Sequence, residues 1–416
     1  MRVICDFHIH SKYSRAVSKQ MNLDTIADWA KWKGIDVVGT GDFTHPKWIQ
    51  EIKEKLTEDG TGILKLKGKN NQKFLLTSEI SSIYKQGDKC RKIHTLVFAP
   101  DIKTVEKINS ALSKIGNIYS DGRPILGLPV KDLSKLVWDI NEDCLIIPAH
   151  AWTPWFSIFG SKSGFDTIEE CFGELSNRIY AIETGLSSDP EMNWRLSNLD
   201  RITLISNSDA HSGPNLGREA NVFEMNENKI TYNEIADIIK TKDVKRFPYT
   251  IEFFPEEGKY HYDGHANCKL VVNPFEEKYP DDRCPLCRRP MTIGVVNRVE
   301  KLADRSEAKR LAGFPDSRHL VPLREIIANA FEVGVTSKKV NALYFELVEK
   351  FGSEFKILLD LDQDFLRKNL PPRIAQGIIN VKNNNLTIDP GYDGIFGKVH
   401  VFKDEGLRNK VQSTLF

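Results

Sequence analysis

No stretch of this sequence stays apolar for long. The longest apolar runs, such as the four residues Leu145 to Pro148, are strand-sized, whereas a membrane-spanning helix needs roughly 20 residues. A membrane is therefore not an expected partner. The opening Met-Arg-Val-Ile-Cys-Asp enters a strand pattern without the apolar core of a signal peptide, which predicts a soluble, cytoplasmic protein. Cysteine is scarce and odd in number, seven in all, with three of them between 268 and 287. Cys5, Cys90, Cys144 and Cys171 are scattered among apolar segments, as buried thiols usually are, so a disulfide framework is not expected. Charge is nearly balanced, at +1, so any basic surface must come from uneven distribution. Internal repeats and low-complexity tracts are absent. So are a G-x-S-x-G elbow and a Cys/His pair that would supply a protein nucleophile.

What is present is a chain of 416 residues, 40% hydrophobic, long enough for a large domain plus one or two small modules. From 1 to 250 a short β-branched or aromatic run, a polar cluster and a helix-period segment recur. The pattern predicts strands at 2–9, 35–41, 73–80, 92–99, 144–149, 178–184 and 202–207. Helices are expected at 23–33, 104–115 and 231–241. Seven strands alternating with helices indicate an α/β fold, either a parallel barrel or a doubly wound sheet. Near 250 the texture changes to a proline- and glycine-punctuated link. A cysteine-bearing module at 251–297 follows, then a mainly helical region at 298–408 with a terminal hairpin around Asp393-Gly394, and a short tail at 409–416.

The polar residues at the strand ends carry the chemistry. In Asp6-Phe7-His8-Ile9-His10 a period of two puts Asp6, His8 and His10 on one face and Phe7 and Ile9 on the other. Six of the ten histidines (8, 10, 45, 94, 150 and 211) join Asp42, Glu79 and Asp209 at the ends of predicted strands. Imidazole and carboxylate together suit zinc, manganese or iron, and a bridging carboxylate suits two or three ions. Such clusters serve phosphoryl chemistry, acidifying a water and stabilising the leaving oxygen.

His8-Ile9-His10, Thr40-Gly41-Asp42, Glu79, His94, Pro148-Ala149-His150 and Ser208-Asp209-Ala210-His211 resemble the successive motifs of the PHP (polymerase and histidinol phosphatase) family. The resemblance covers 1–250 and implies a distorted (β/α)7 barrel. It also implies two or three divalent ions (Zn, Mn or Mg) on His8, His10, Asp42, Glu79, His94, His150, Asp209 and His211, with Asp209, His211 and His150 as candidate catalytic residues. Two departures matter. Phe43 follows Asp42 where the family has a histidine, so the ligand there is Asp42 or His45, and Ser14 and Arg15 stand where a further histidine is common. For Glu183 and Asp6 the expectation is a supporting role, orienting a ligand and holding a strand end.

His265-x2-Cys268-x15-Cys284-x2-Cys287 has two pairs at the spacing that lets tight turns share a tetrahedral metal, and it predicts one structural zinc. His261 is a rival for the His265 position. From Arg283 to Arg318, nine Lys or Arg face four Asp or Glu, and Arg288 and Arg289 beside the module are candidate contacts to a phosphate backbone. Trp152, Trp155 and Phe156 crowd the segment after His150. They read either as platforms for a base or as a plug over the barrel mouth.

Gln412, Leu415 and Phe416 look like the start of a sliding-clamp interaction peptide, which makes a PCNA-like clamp a candidate partner. The barrel motifs, the zinc module and Leu370-Pro371-Pro372-Arg373 leading to Asp389-Pro390-Gly391-Tyr392 together resemble the endonuclease Q family across the whole chain. That resemblance implies a nucleoid-associated repair enzyme nicking DNA 5′ to deaminated bases (uracil, hypoxanthine, xanthine) or abasic sites. The alternative, a small-molecule phosphatase of the histidinol-phosphatase type, would leave everything after 250 unexplained.

Overall fold

The computed structural model describes residues 1–68, 71–226, 230–277 and 279–403. Gln412, Leu415 and Phe416, the expected clamp peptide, lie outside them. The fold is mixed α/β.

The first strand, Arg2–Asp6, is flanked on both sides. It pairs in parallel with Val37–Gly39, Cys5 opposite Val37, and antiparallel with Ala220–Glu224, Val3 opposite Phe223. Val3, Cys5 and Phe7 enter one apolar core, with Leu75, Phe98, Ile147 and Phe223, while Ile4 and Ile9 enter the other. This is the period-two alternation that leaves Asp6, His8 and His10 together. Val37–Gly39 pairs in parallel with Lys73–Gln86.

Here the structure departs from a run of parallel strands. Lys73–Gln86 turns back at Gly87, whose φ is +59°, into Lys89–Ala99, and the two form a long antiparallel hairpin with Ser81 opposite His94. Lys89–Ala99 also runs antiparallel to Leu145–Pro148. Glu79 and His94 thus sit inside strands, not at their ends, yet meet because the second strand runs the opposite way. Ala181–Glu183 and Thr203–Ile205 pair in parallel. The Ala151 N–H donates to the Glu183 carbonyl at 2.9 Å and the His10 N–H to the Ala210 carbonyl at 3.0 Å, tying these last strands to their neighbours on either side.

The expected helices form where their caps allow. Asn22, Asp101 and Thr231 each accept an N–H of the first turn of Leu23–Lys33, Ile102–Leu112 and Tyr232–Thr241. Beyond 250, Asp316–His319 adds to the large sheet in parallel with Tyr249–Glu252. Helices Leu323–Phe331, Lys338–Phe351, Gln363–Asn369 and Pro372–Lys382 follow, with Pro322 and Pro371 as caps. Thr387–Asp389 and Lys398–His400 form the expected hairpin. One contiguous apolar core runs from Ile4 to Val401 and takes in Trp48, Trp152 and Tyr344. Among the described residues no helix is long and apolar enough to cross a membrane.

Candidate metal centre

Side chains from five strands and the loops after them converge on the Glu79 carboxylate. Its Oε1 lies 2.6 Å from His94 Nδ1 and 3.0 Å from His150 Nε2. Its Oε2 lies 3.2 Å from His10 Nε2 and 3.5 Å from His8 Nε2. Asp209 Oδ1 completes the second side, 3.1 Å from His10 Nε2 and 3.6 Å from His8 Nε2. Two donor groups result, His8/His10/Asp209 and Glu79/His94/His150, each with its ligand atoms within 4.8 Å of one another. Glu79 faces both, as a bridging carboxylate does.

The backbone is bent to make this possible. Asp42, His150 and Asp209 hold φ values of +50°, +30° and +45°, a region that costs a non-glycine residue on the order of 1–3 kcal/mol and persists where the surroundings enforce it. Gly185 packs on His150 so closely that a Cβ there would lie 2.5 Å from the histidine Cβ.

Buried carboxylates orient the imidazoles. Glu183 spans His8 Nδ1 (3.0 Å) and the His150 N–H (2.8 Å). Asp42 takes His10 Nδ1 on one oxygen at 3.0 Å, while its other oxygen accepts from Ser11 N–H, Ser11 Oγ and Ser14 Oγ at 2.6, 2.7 and 2.8 Å. Among the described residues, the inner nitrogens His8 Nε2 and His10 Nε2 and the Asp209 Oδ1 beside them are buried and close to one another but make no hydrogen bond of good geometry. Buried polar atoms are rarely left so. Two imidazoles with carboxylates on their outer nitrogens and free inner nitrogens are a metal-ligand arrangement. Burial would raise the Glu79 carboxyl, but His94, Arg123 and His8 override it and hold Glu79 well below the usual range. Asp209 is likewise held low against burial by His8 and His10. Burial lowers His94 to about 4 against the opposing pull of Glu79.

Not every expected ligand joins a donor group. Asp42 stands outside both, its oxygens engaged as above. His45 is further off, its Nε2 on the Tyr119 carbonyl at 3.1 Å and its ring stacked on Tyr13. His211 packs edge-on to His10, ring centroids 4.7 Å apart, with Nδ1 on the Asp209 carbonyl at 2.8 Å. Asp6 accepts from Ser208 N–H, Ser208 Oγ and Gly217 N–H, bracing the loop that carries Asp209.

In the second cluster His265, Cys268, Cys284 and Cys287 bring their ligand atoms within 4.8 Å of one another. The short hairpin Asp263–His265/Leu270–Val272 supplies one pair. A turn closed by the Arg288 N–H on the Cys284 carbonyl at 2.8 Å supplies the other. His261 is not in the group. Arg288 and Arg289 are exposed beside it.

The aromatic segment needs one correction. Trp152 is buried, 1% exposed, with its indole N–H on Asn193 Oδ1 at 2.8 Å and its ring against Phe159. It belongs to the core and offers no face to a base. Trp155 and Phe156 are half-buried, and the Phe156 ring lies 4.6 Å from that of His94, at the edge of the donor groups. Sequence reading missed Arg123, whose Nη1 is 3.0 Å from Glu79 Oε2. A lone arginine in a loop carries no spacing signal.

Comparison with known proteins adds an independent line. A family model, the MJ0043 C-terminal domain, matches residues 322–385. The uncharacterized protein YqxK of Bacillus subtilis is 29% identical over 96% of this chain and 99% of its own length. The uncharacterized protein MJ0043 of Methanocaldococcus jannaschii is 30% identical over 69% of this chain, which is 35% of that longer protein. The lesion-specific endonuclease PfuEndoQ of Pyrococcus furiosus superposes with a TM-score of 0.85 at 33% identity, covering 100% of this chain and 98% of PfuEndoQ. An endonuclease Q bound to a 27-mer duplex substrate with an abasic lesion at its active site gives a TM-score of 0.86 at 33% identity, covering 100% of both chains. With identity and fold shared from end to end, the chain belongs to the endonuclease Q family.

Proposed function

We propose that this protein is a lesion-specific DNA repair endonuclease that nicks the phosphodiester 5′ to deaminated bases or abasic sites by metal-activated hydrolysis. The observation that carries the reading is the pair of donor groups facing one buried carboxylate, Glu79, in a chain with end-to-end likeness to an endonuclease Q that holds an abasic duplex. The strand order, with Ile9 bridged to Ala210, supports a PHP-type distorted barrel as the catalytic unit over 1–250. A zinc module at 251–297 and a helical DNA-binding region from 298 follow. The small-molecule phosphatase alternative draws no support from these neighbours.

His8, His10 and Asp209 would hold one divalent ion, and His94 and His150 a second, with Glu79 between them. Zinc or manganese suits this mixed set, and zinc suits His265 with Cys268, Cys284 and Cys287. Bound ions there supply an acidified water and stabilise the charge on the phosphate and the leaving oxygen. The chain's own work is orientation. Glu183 and Asp42 fix the tautomers of His8 and His10, so that Nε2 of each faces the centre. His211, beside His10 and with Nδ1 spent on the Asp209 carbonyl, leaves Nε2 free among the described residues and is the candidate to accept a proton at the centre. Trp155 and Phe156 are the candidates to pack against an extruded lesion, and Arg288 and Arg289 to hold the flanking backbone.

The test is purified protein with Mn²⁺ or Mg²⁺ on end-labelled duplexes carrying uracil, hypoxanthine, an abasic site or no lesion. His8→Ala and Asp209→Ala run alongside. A single nick 5′ to the lesion, lost in both variants, is expected. Intact DNA together with turnover of a small phosphate ester would overturn the reading.

A further inference from the structure

Arg123 reaches Glu79 from a loop whose every turn is fastened to the centre. Asp121 Oδ1 accepts the N–H of Arg123 at 3.1 Å and that of Arg15 at 3.4 Å. The Gly122 N–H donates to the Tyr13 carbonyl at 3.1 Å, and its own carbonyl accepts from Thr44 Oγ1 at 3.0 Å. The Pro124 carbonyl accepts the Ser81 N–H at 3.0 Å, two residues along the strand from Glu79. Gly122 passes so close to the ligand-orienting residues that a Cβ would lie 2.3 Å from Ser14 Oγ and 2.4 Å from Asp42 Oδ2. A loop this tightly docked aims its arginine with little freedom.

The guanidinium is under-used by the protein. Of the five N–H donors an arginine carries, one makes a hydrogen bond among the described residues, Nη1 to Glu79 Oε2 at 3.0 Å. The side chain is 24% exposed, and none of its remaining donors is among the buried unpaired atoms, so they are open to solvent beside Glu79. Of the neighbouring cations, Lys12 pairs with Glu51 and Arg218 with the Ser208 and Asp209 carbonyls, while Arg15 lies out in solvent, its side chain 78% exposed and its Nε on Asp121. Glu79 also faces four imidazoles, so it cannot give the guanidinium a full bidentate partner. A planar fork with spare donors beside a phosphoryl-transfer centre matches the geometry of a phosphate.

We propose that Arg123 is a catalytic residue that touches the substrate, binding a non-bridging oxygen of the scissile phosphate and offsetting the charge that builds there in the transition state. The proposal rests on the DNA-nicking reading above. Removing one preorganised donor to a transition-state charge typically costs about 10²–10³ in rate.

The experiment compares wild type with Arg123→Gln, Arg123→Lys and Arg123→Ala on an abasic-site duplex under single-turnover conditions, with metal content measured by elemental analysis and duplex affinity by anisotropy. Expected are a nicking rate down by about 10²–10³ in Arg123→Gln, a smaller loss in Arg123→Lys, and unchanged metal content. Duplex affinity should stay within about threefold, since one phosphate contact among many is lost. Added guanidinium should raise the rate of Arg123→Ala and leave wild type unaffected. Variants nicking at the wild-type rate, or losing metal in step with rate, would overturn the assignment and make Arg123 a support for Glu79. A wild type inert on every duplex would instead remove the nuclease reading, and the Arg123 proposal with it.

Discussion

At Asp42 the motif position and the local geometry point to different duties. Its motif position suggests a ligand, but both oxygens are spent, one on His10 Nδ1 and one on Ser11 and Ser14. Exchanging it for asparagine keeps the shape and removes the charge that holds His10 in the tautomer with a free Nε2. Such orienting partners are worth about 10–100-fold in metal affinity, and Asp42→Asn should lose that much in competition with a chromophoric chelator. A loss larger by several orders would mean that Asp42 binds the metal itself. The His8-Ile9-His10 pair was legible because a strand's period of two leaves no other face for the histidines. Trp152 and Arg123 were not, since aromatic content says nothing of which way a ring turns, and a single arginine gains meaning only when Glu79 is seen beside it.

At the scale of elements, the seven expected strands form, but the direction of Lys89–Ala99 was not readable, and neither were the further strands Ala220–Glu224 and Tyr249–Glu252, the latter lying where a link was expected. Residues 81–91 look like a polar break after Glu79, yet Lys73–Gln86 and Lys89–Ala99 continue through them as a hairpin turning at Gly87-Asp88. Reversing the second strand is what brings His94, midway along it, to Glu79. The strand Asp316–His319 shows the same dependence on long-range pairing, since Asp-Ser-Arg-His has no strand pattern of its own. Its place is secured by parallel pairing and by His319, whose Nε2 lies 3.1 Å from Asp189 Oδ2. Burial would lower His319, but Asp189, Glu252 and Glu191 raise it to about 9. With the folded value above the unfolded one of about 6.5, this stabilisation is whole below about pH 6.5 and is lost as pH rises through about 9. Of the order of 3 kcal/mol is at stake. His319→Gln should therefore lower the denaturation midpoint at pH 6 and have little effect near pH 10, as urea melts at the two pH values would show.

Across the whole molecule, the composition break near 250 marks a change of texture without a break in the core. Trp29 and Trp32 of Leu23–Lys33 pack on Phe345 of Lys338–Phe351, ring centroids 5.9 and 4.8 Å apart. Beneath them Lys33 Nζ meets Glu354 Oε2 at 2.8 Å, with side chains 1% and 4% exposed. Glu354 also accepts the Leu323 N–H at 3.0 Å and the Tyr344 hydroxyl at 2.9 Å, gathering three parts of the C-terminal half onto one lysine of the N-terminal half. A buried ion pair adds little over a well-packed apolar substitute, but removing one partner strands the other charge and costs about 3–5 kcal/mol. Lys33→Met should cost that much in urea denaturation. Adding Glu354→Gln should return most of it, because a neutral amide keeps the bond from Leu323 and needs no counter-charge. If the single variant proved as stable as wild type, the two halves would be held by apolar contact alone. If the double variant recovered nothing, the penalty would lie in packing around Lys33 and not in its charge.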